Sequence, residues 1–230
     1  MNMIVLGIET STDVCSVGLA RTGQPLKEER VVEERIHSEK VLTLVRALLS
    51  EGRVAPNQLD AIAVSIGPGS FTGLRIGLST AKGLCFALNV PLVAVPTFDA
   101  IAQAVAASHQ DAANIVVALD AKKGDFYSGR YERRSDSLIP AGKTCLRTEA
   151  EIRKDILEAP PALLVTNRED LFEGHRRAGG KVTDVHGFCR GDVVAGIGLA
   201  RAQAKKFTDA ESCEPMYLKD FVVIGKTSAV

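Results

Sequence analysis

The sequence predicts an α/β protein of two similar lobes, each a mixed sheet with helices packed on it. Two observations carry this. Each half opens with strand candidates at hairpin spacing, and helices and strands then alternate, the pattern of a mixed sheet. The second is a weak internal repeat at an offset of 111 residues: Ile4 and Val5 align with Ile115 and Val116, Gly18 with Gly129, and Glu9 with Asp120. One carboxylate thus closes the first strand of each half. The lobes are placed at residues 1–108 and 109–230, with the last helix and tail packing back on the first lobe.

In chain order, residues 3–8 are an apolar run that ends on Glu9, and residues 14–20 are a second strand. Thr22-Gly23-Gln24-Pro25 is a turn, and 26–33 a third strand. Ser38 is read as the cap of a helix to about Ser50, with Val41, Leu42, Val45, Leu48 and Leu49 on one side and Gly52 as its stop. Residues 59–66 form a buried strand, 72–88 a helix, 92–95 a short strand, and 97–107 a helix started by Thr97 or Asp99. The second half repeats the opening with strands at 115–119, 126–131 and 143–146. Thr148 caps a helix to Leu157, and 162–165 is a strand. Residues 175–187 read as loop, Asp192 as the cap of a last helix to about Lys206, and 216–224 as a tail with strand character.

Composition narrows the function. The 230 residues carry 28 Lys and Arg against 28 Asp and Glu, so the chain lacks the basic footprint of a stand-alone nucleic-acid binder. Hydrophobic residues make up 46%, and a chain of this length can bury ~70–75% of its unfolded surface without staples. No apolar run reaches a membrane span, and Met1-Asn2-Met3 leads straight into a strand, so neither an anchor nor a leader is expected. The five cysteines are odd in number and form no C-x-x-C pair, which predicts reduced thiols and a cytoplasmic location.

The stretch I-G-P-G-S-F-T-G-L-R-I, residues 66–76, is the most informative. A strand enters a glycine-rich loop and a helix leaves it, a geometry that lets backbone N–H groups meet an anion. The glycine spacing is not that of a P-loop, and Ser70 lacks the glycine of a nucleophile elbow. A tight turn with no ligand is the slightly preferred alternative. Gly73, Gly77 and Ala81 share one helix face, which implies close approach of another backbone, from within the chain or from a partner. Glu9 and Asp120 are either paired acids around a metal-bound nucleotide or plain strand ends, with equal weight. The four histidines show no metal-binding spacing, so no metal site is expected, and His37 is read as a helix-entry residue. Lys122 and Lys123 are read as a solvated turn rather than phosphate contacts.

These residues resemble the TsaB (YeaZ) family of bacterial tRNA threonylcarbamoyladenosine biosynthesis proteins. The resemblance rests on I-V-L-G-I-E-T-S-T at 4–12, R-I-H-S-E at 35–39, G-P-G-S-F-T-G-L-R-I-G at 67–77, D-A-K-K-G at 120–124 and P-M-Y-L-K at 215–219. The glycine-rich string is the specific one. The resemblance implies the two-lobed ASKHA fold of actin-like ATPases, also called ribonuclease H-like. It implies a non-catalytic partner of the metal-containing paralogue TsaD, joined by the ATPase TsaE; the neutral charge favours an indirect meeting with tRNA, and a weak homodimer through the TsaD-binding surface is the fallback when TsaD is absent.

Carried onto this chain, the family's helix-bundle interface falls on Ser38, Val41, Leu42, Val45, Gly73, Ile76, Gly77, Thr80, Ala81 and Leu84. Glu9, Ser11, Thr12, Gly67, Gly69, Ser70 and Asp120 are the candidate phosphate contacts. No cofactor is required by this reading, with ATP or ADP and magnesium as optional ligands. Two departures weigh against nucleotide: Glu9 stands where many relatives have aspartate, and Thr166-Asn167-Arg168 replaces a glycine-rich turn. The competing expectations are a small-molecule kinase or nucleotide hydrolase using Glu9 and Asp120, and a hydrolase using Ser70 or a cysteine. The old glycoprotease label of the family finds no nucleophile or zinc set in this sequence.

Overall fold

A computed structural model describes residues 2–134, 137–158 and 162–219. The first sheet holds β1 (Ile4–Glu9), β2 (Val14–Arg21), β3 (Lys27–Val32), β4 (Ala61–Ser65) and β5 (Leu92–Val95), in the order β3-β2-β1-β4-β5. The β1–β2–β3 pairs are antiparallel, and β4 and β5 join in parallel. All six residues of β1 are buried, as expected for a strand covered on both faces. On one face lie α1 (His37–Glu51) and α2 (Phe71–Leu88). Leu6, Ile8, Val17 and Leu19 meet Val41, Val45, Leu48, Leu78 and Ala81 there. Each such Leu, Ile or Val side chain contributes about 1.5–3 kcal/mol by leaving water.

The second sheet repeats the plan with β6 (Asn114–Asp120), β7 (Asp125–Arg134), β8 (Ser137–Pro140), β9 (Cys145–Thr148), β10 (Ala162–Thr166) and β11 (Lys181–Asp184). Its order is β11-β10-β6-β7-β8, and β9 pairs with the start of β7. The third-strand position is therefore shared by β8 and β9. The hairpins differ by one residue: Glu9 faces Ser16, whereas Asp120 faces Phe126. The tighter turn places Lys122, Lys123 and Gly124 in left-handed conformations.

The face of this sheet nearer the first lobe packs on α3 (Thr97–Ser108) through Phe98, Ile101 and Val105. The other face packs on α4 (Glu149–Glu158), with Ile152 and Ile156 against Phe126 and Phe172. Thr148 and Glu151 exchange hydrogen bonds in a capping box at the start of α4. The short helix α5 (Glu173–Arg177) precedes β11, and α6 (Gly191–Gln203) is the last helix or strand among the described residues.

α6 does not stay with the second sheet. It lies on the first, where Gly7, Gly18 and Gly198 remove the side chains that would separate the backbones. A Cβ on Gly18 would sit 2.1 Å from the Asp192 nitrogen, and one on Gly7 2.3 Å from the Gly191 oxygen.

Several sequence expectations shift. Ser38 does not cap α1: Ile36 occupies that position with no side-chain bond. Gly52 follows α1 in a right-handed conformation, and Arg53 takes the left-handed one. Residues 175–187 contain the end of α5, β11 and a 3-10 turn rather than loop, because their strand is short and polar. Asp192 lies inside α6 and pairs with Arg190 instead of capping. Residues 216–219 form no strand, and the rest of the expected tail strand lies outside the described residues.

Candidate functional site

A cleft of about 540 Å³ opens between the lobes. The first lobe supplies the β1–β2 loop with Ser11 and Thr12 and the α2 entrance with Gly69 and Ser70. The second supplies Asp120 to Lys123 at the β6–β7 turn, Tyr127 and Asn167. Met216, Tyr217 and Lys219 complete the wall. Of the candidate phosphate contacts, Ser11, Thr12, Gly69, Ser70 and Asp120 line this space. Glu9 and Gly67 do not.

The glycine-rich string has a mechanical explanation here. Cβ atoms on Gly69 and Gly73 would lie 2.3 and 2.1 Å from the carbonyl oxygens of Ser11 and Thr10. One on Gly77 would lie 2.1 Å from Thr10 Oγ1. The Thr10 hydroxyl donates to the Gly73 carbonyl at 2.9 Å, and the Ser70 N–H donates to Ser11 O at 2.7 Å. The string is thus a socket for the β1–β2 loop. The Ser70 hydroxyl caps α2 by accepting from the Gly73 N–H.

Glu9 is fully buried beneath this loop. The Ser11 N–H and hydroxyl donate to Oε1 at 2.6 and 2.5 Å, and the Ser65 hydroxyl meets Oε2. Burial raises its pKa above the ordinary value near 4.5, outweighing the hydrogen bonds from Ser11 and Ser65 that pull it down. As a magnesium ligand for phosphate it is misplaced: it has no surface in the cleft, and its oxygens are already taken.

Asp120 faces the cleft but is occupied as well. Oδ1 accepts from the Lys122 N–H at 2.8 Å. Lys122 Nζ lies 3.2 Å and an Arg168 nitrogen 3.9 Å from Oδ2. Asn167 Oδ1 accepts from the Asp120 N–H. The residues that replace a glycine-rich turn thus hold the acid in place. Among the described residues, no group of three or more His, Cys, Asp or Glu side chains is placed to hold a metal ion. Burial pushes the Cys15 and Cys85 thiols up to about 11, so neither is a ready thiolate nucleophile.

The candidate interface on α1 and α2 divides in two. Val41, Val45, Gly73, Gly77 and Ala81 are buried within the chain, which corrects their assignment as contact residues. Their partners are the first sheet and Thr10. The outer face keeps Ser38, Leu42, Ile76, Thr80 and Leu84, with Leu42 exposed and the last three half-buried. Phe86, on another flank of the outer surface of α2, is 92% exposed. The sequence reading passed over it, although it falls off the buried stripe Leu74, Leu78, Ala81 and Cys85 at helical spacing.

Two lobes, each with strand order 3-2-1-4-5, and a cleft between the loops that follow their first strands define the ASKHA class of actin-like ATPase folds. A family model described as "TsaD: tRNA N6-adenosine threonylcarbamoyltransferase" matches residues 31–170. The chain is 36% identical over 138 residues to the tRNA threonylcarbamoyladenosine biosynthesis protein TsaB of Haemophilus influenzae, covering 59% of this chain and 58% of that one. It is 30% identical to TsaB of Bacillus subtilis, over 75% of this chain and 71% of that one. The solved structure of YeaZ from Pseudomonas aeruginosa superposes with a TM-score of 0.74 at 27% identity, over 94% of this chain and 100% of that one.

The chain belongs to the TsaB (YeaZ) family of tRNA threonylcarbamoyladenosine biosynthesis proteins. The matched stretch spans about six tenths of the Haemophilus influenzae and Escherichia coli relatives, 58% and 64%. No described helix is long and apolar enough to cross a membrane.

Proposed function

We propose that this chain is a non-catalytic partner of TsaD. In this role it supports formation of the threonylcarbamoyl group on the adenosine next to the anticodon of tRNAs that read codons starting with A. It docks TsaD through the outer face of α1 and α2, TsaE joins the pair, and tRNA is met through the complex. The observation that carries the reading is the apolar character of the outer surfaces of α1 and α2: Leu42 and Phe86 are exposed, and Ile76 and Leu84 are half-buried at the edge of the core. An exposed apolar patch on a neutral protein is an association site. In isolation the same face supports a homodimer.

Light scattering on the chain mixed with its own organism's TsaD tests this. A one-to-one complex supports the reading, and its absence with TsaE, ATP and magnesium present overturns it.

The interlobe cleft favours a second reading, a nucleotide-binding kinase or hydrolase. The burial of Glu9 and the ion-pairing of Asp120 weigh against it. Calorimetry with ATP and magnesium separates the two. Micromolar binding that Asp120→Ala abolishes supports the enzyme, and no heat supports the partner.

A further inference from the structure

We propose that residues 213–219 form a detachable strap that closes the cleft and latches the lobes together through the Lys219 ammonium. The strap starts from a fixed point, because Cys213 is buried in the core under α2. From there it crosses the α2 entrance. The Met216 N–H donates to Ile66 O at 2.6 Å. The Tyr217 ring lies 5.3 Å from that of Phe71, and Arg75 Nε donates to its hydroxyl at 3.0 Å. All these partners belong to the first lobe.

Lys219 then reaches the second lobe. Its ammonium donates to the carbonyls of Ala121 and Lys122, both at 3.1 Å, and to Asp125 Oδ2 at 2.8 Å. Those acceptors sit in the β6–β7 turn and at the first residue of β7, and within the turn Lys122 and Lys123 hold left-handed conformations that non-glycine residues adopt only when their surroundings enforce them. One cation thus binds the turn that carries Asp120 to the segment seated on α2.

Two features show that the seat is built for the strap and that the strap can leave it. Gly67 has φ +115°, and a Cβ there would lie 2.9 Å from the Met216 oxygen. No side chain fits between strap and loop. Yet residues 214–219 carry no ladder of backbone bonds among the described residues, and none of them is buried. A segment whose contacts come from side chains more than from a backbone ladder belongs to the low-stability end of a fold. Met216, Tyr217 and Lys219 are also cleft wall, so releasing them opens the space to solvent.

Hydrogen exchange on the whole chain, read by mass spectrometry, tests the latch in Lys219→Ala. Exchange in peptides covering 213–219 and 121–127 should rise at least tenfold, with β1, β4 and β6 unchanged. A second readout is thiol labelling of Ala121→Cys, a buried position in the cleft wall. Its rate should rise at least fivefold when Lys219→Ala is added. Unchanged exchange and labelling would overturn the proposal. So would a uniform rise across all strands, which would make Lys219 a global stability residue and not a latch.

Discussion

Thr10 and Ser11 explain the glycines that the sequence makes conspicuous. Alanine in place of a mid-helix glycine ordinarily stabilises by about 1 kcal/mol. At Gly73 the added methyl would strike the Thr10 carbonyl, which the β1–β2 loop seated on α2 cannot move cheaply. Gly73→Ala should therefore lower stability by roughly 1–3 kcal/mol, read from urea unfolding. Glu9 gives a pH signature. Its folded pKa lies above the unfolded value near 4.5, so the folded state keeps a proton that the unfolded chain has released. The associated stability is full below 4.5 and is lost as pH rises through the folded value. Glu9→Gln keeps an oxygen for Ser11 and cannot ionise. Urea midpoints from pH 5 to 8 should fall more steeply in the parent chain than in this variant.

α2 has two faces with different duties, and the sequence shows the stripe without saying which side is inward. Small residues at Gly73, Gly77 and Ala81 signal close approach, but the partner is a loop that precedes the helix by some sixty residues, out of reach of local pattern. The strands were legible where apolar residues run without a break, as in β4, β5 and β6, or nearly so, as in β1. β8 and β11 were not, because both are short and β11 is polar, leaving no periodicity to read. α6 was legible as a helix and was expected back on the first lobe, while its close seat on the sheet rests on glycines distant in sequence. Gly18→Val would push Asp192 and its helix off β2. It should cost more than about 2 kcal/mol and accelerate exchange along α6 ahead of the second sheet.

The two-lobed plan could be read from the hairpin openings and the paired acids at Glu9 and Asp120. Their fates could not, because burial of one and ion-pairing of the other depend on Ser65, Arg168 and the lobe arrangement. With both acids occupied by the chain's own groups, the outer face of α1 and α2 becomes the surface to which function is assigned. Leu42 tests it cleanly, since it is exposed and its loss should leave folding intact. The decisive measurement is calorimetric titration of TsaD with the parent chain and with Leu42→Asp, alongside their urea midpoints. The account predicts a one-to-one complex weakened at least about tenfold, or about 1.4 kcal/mol, at unchanged midpoint. Equal affinity in both would contradict it.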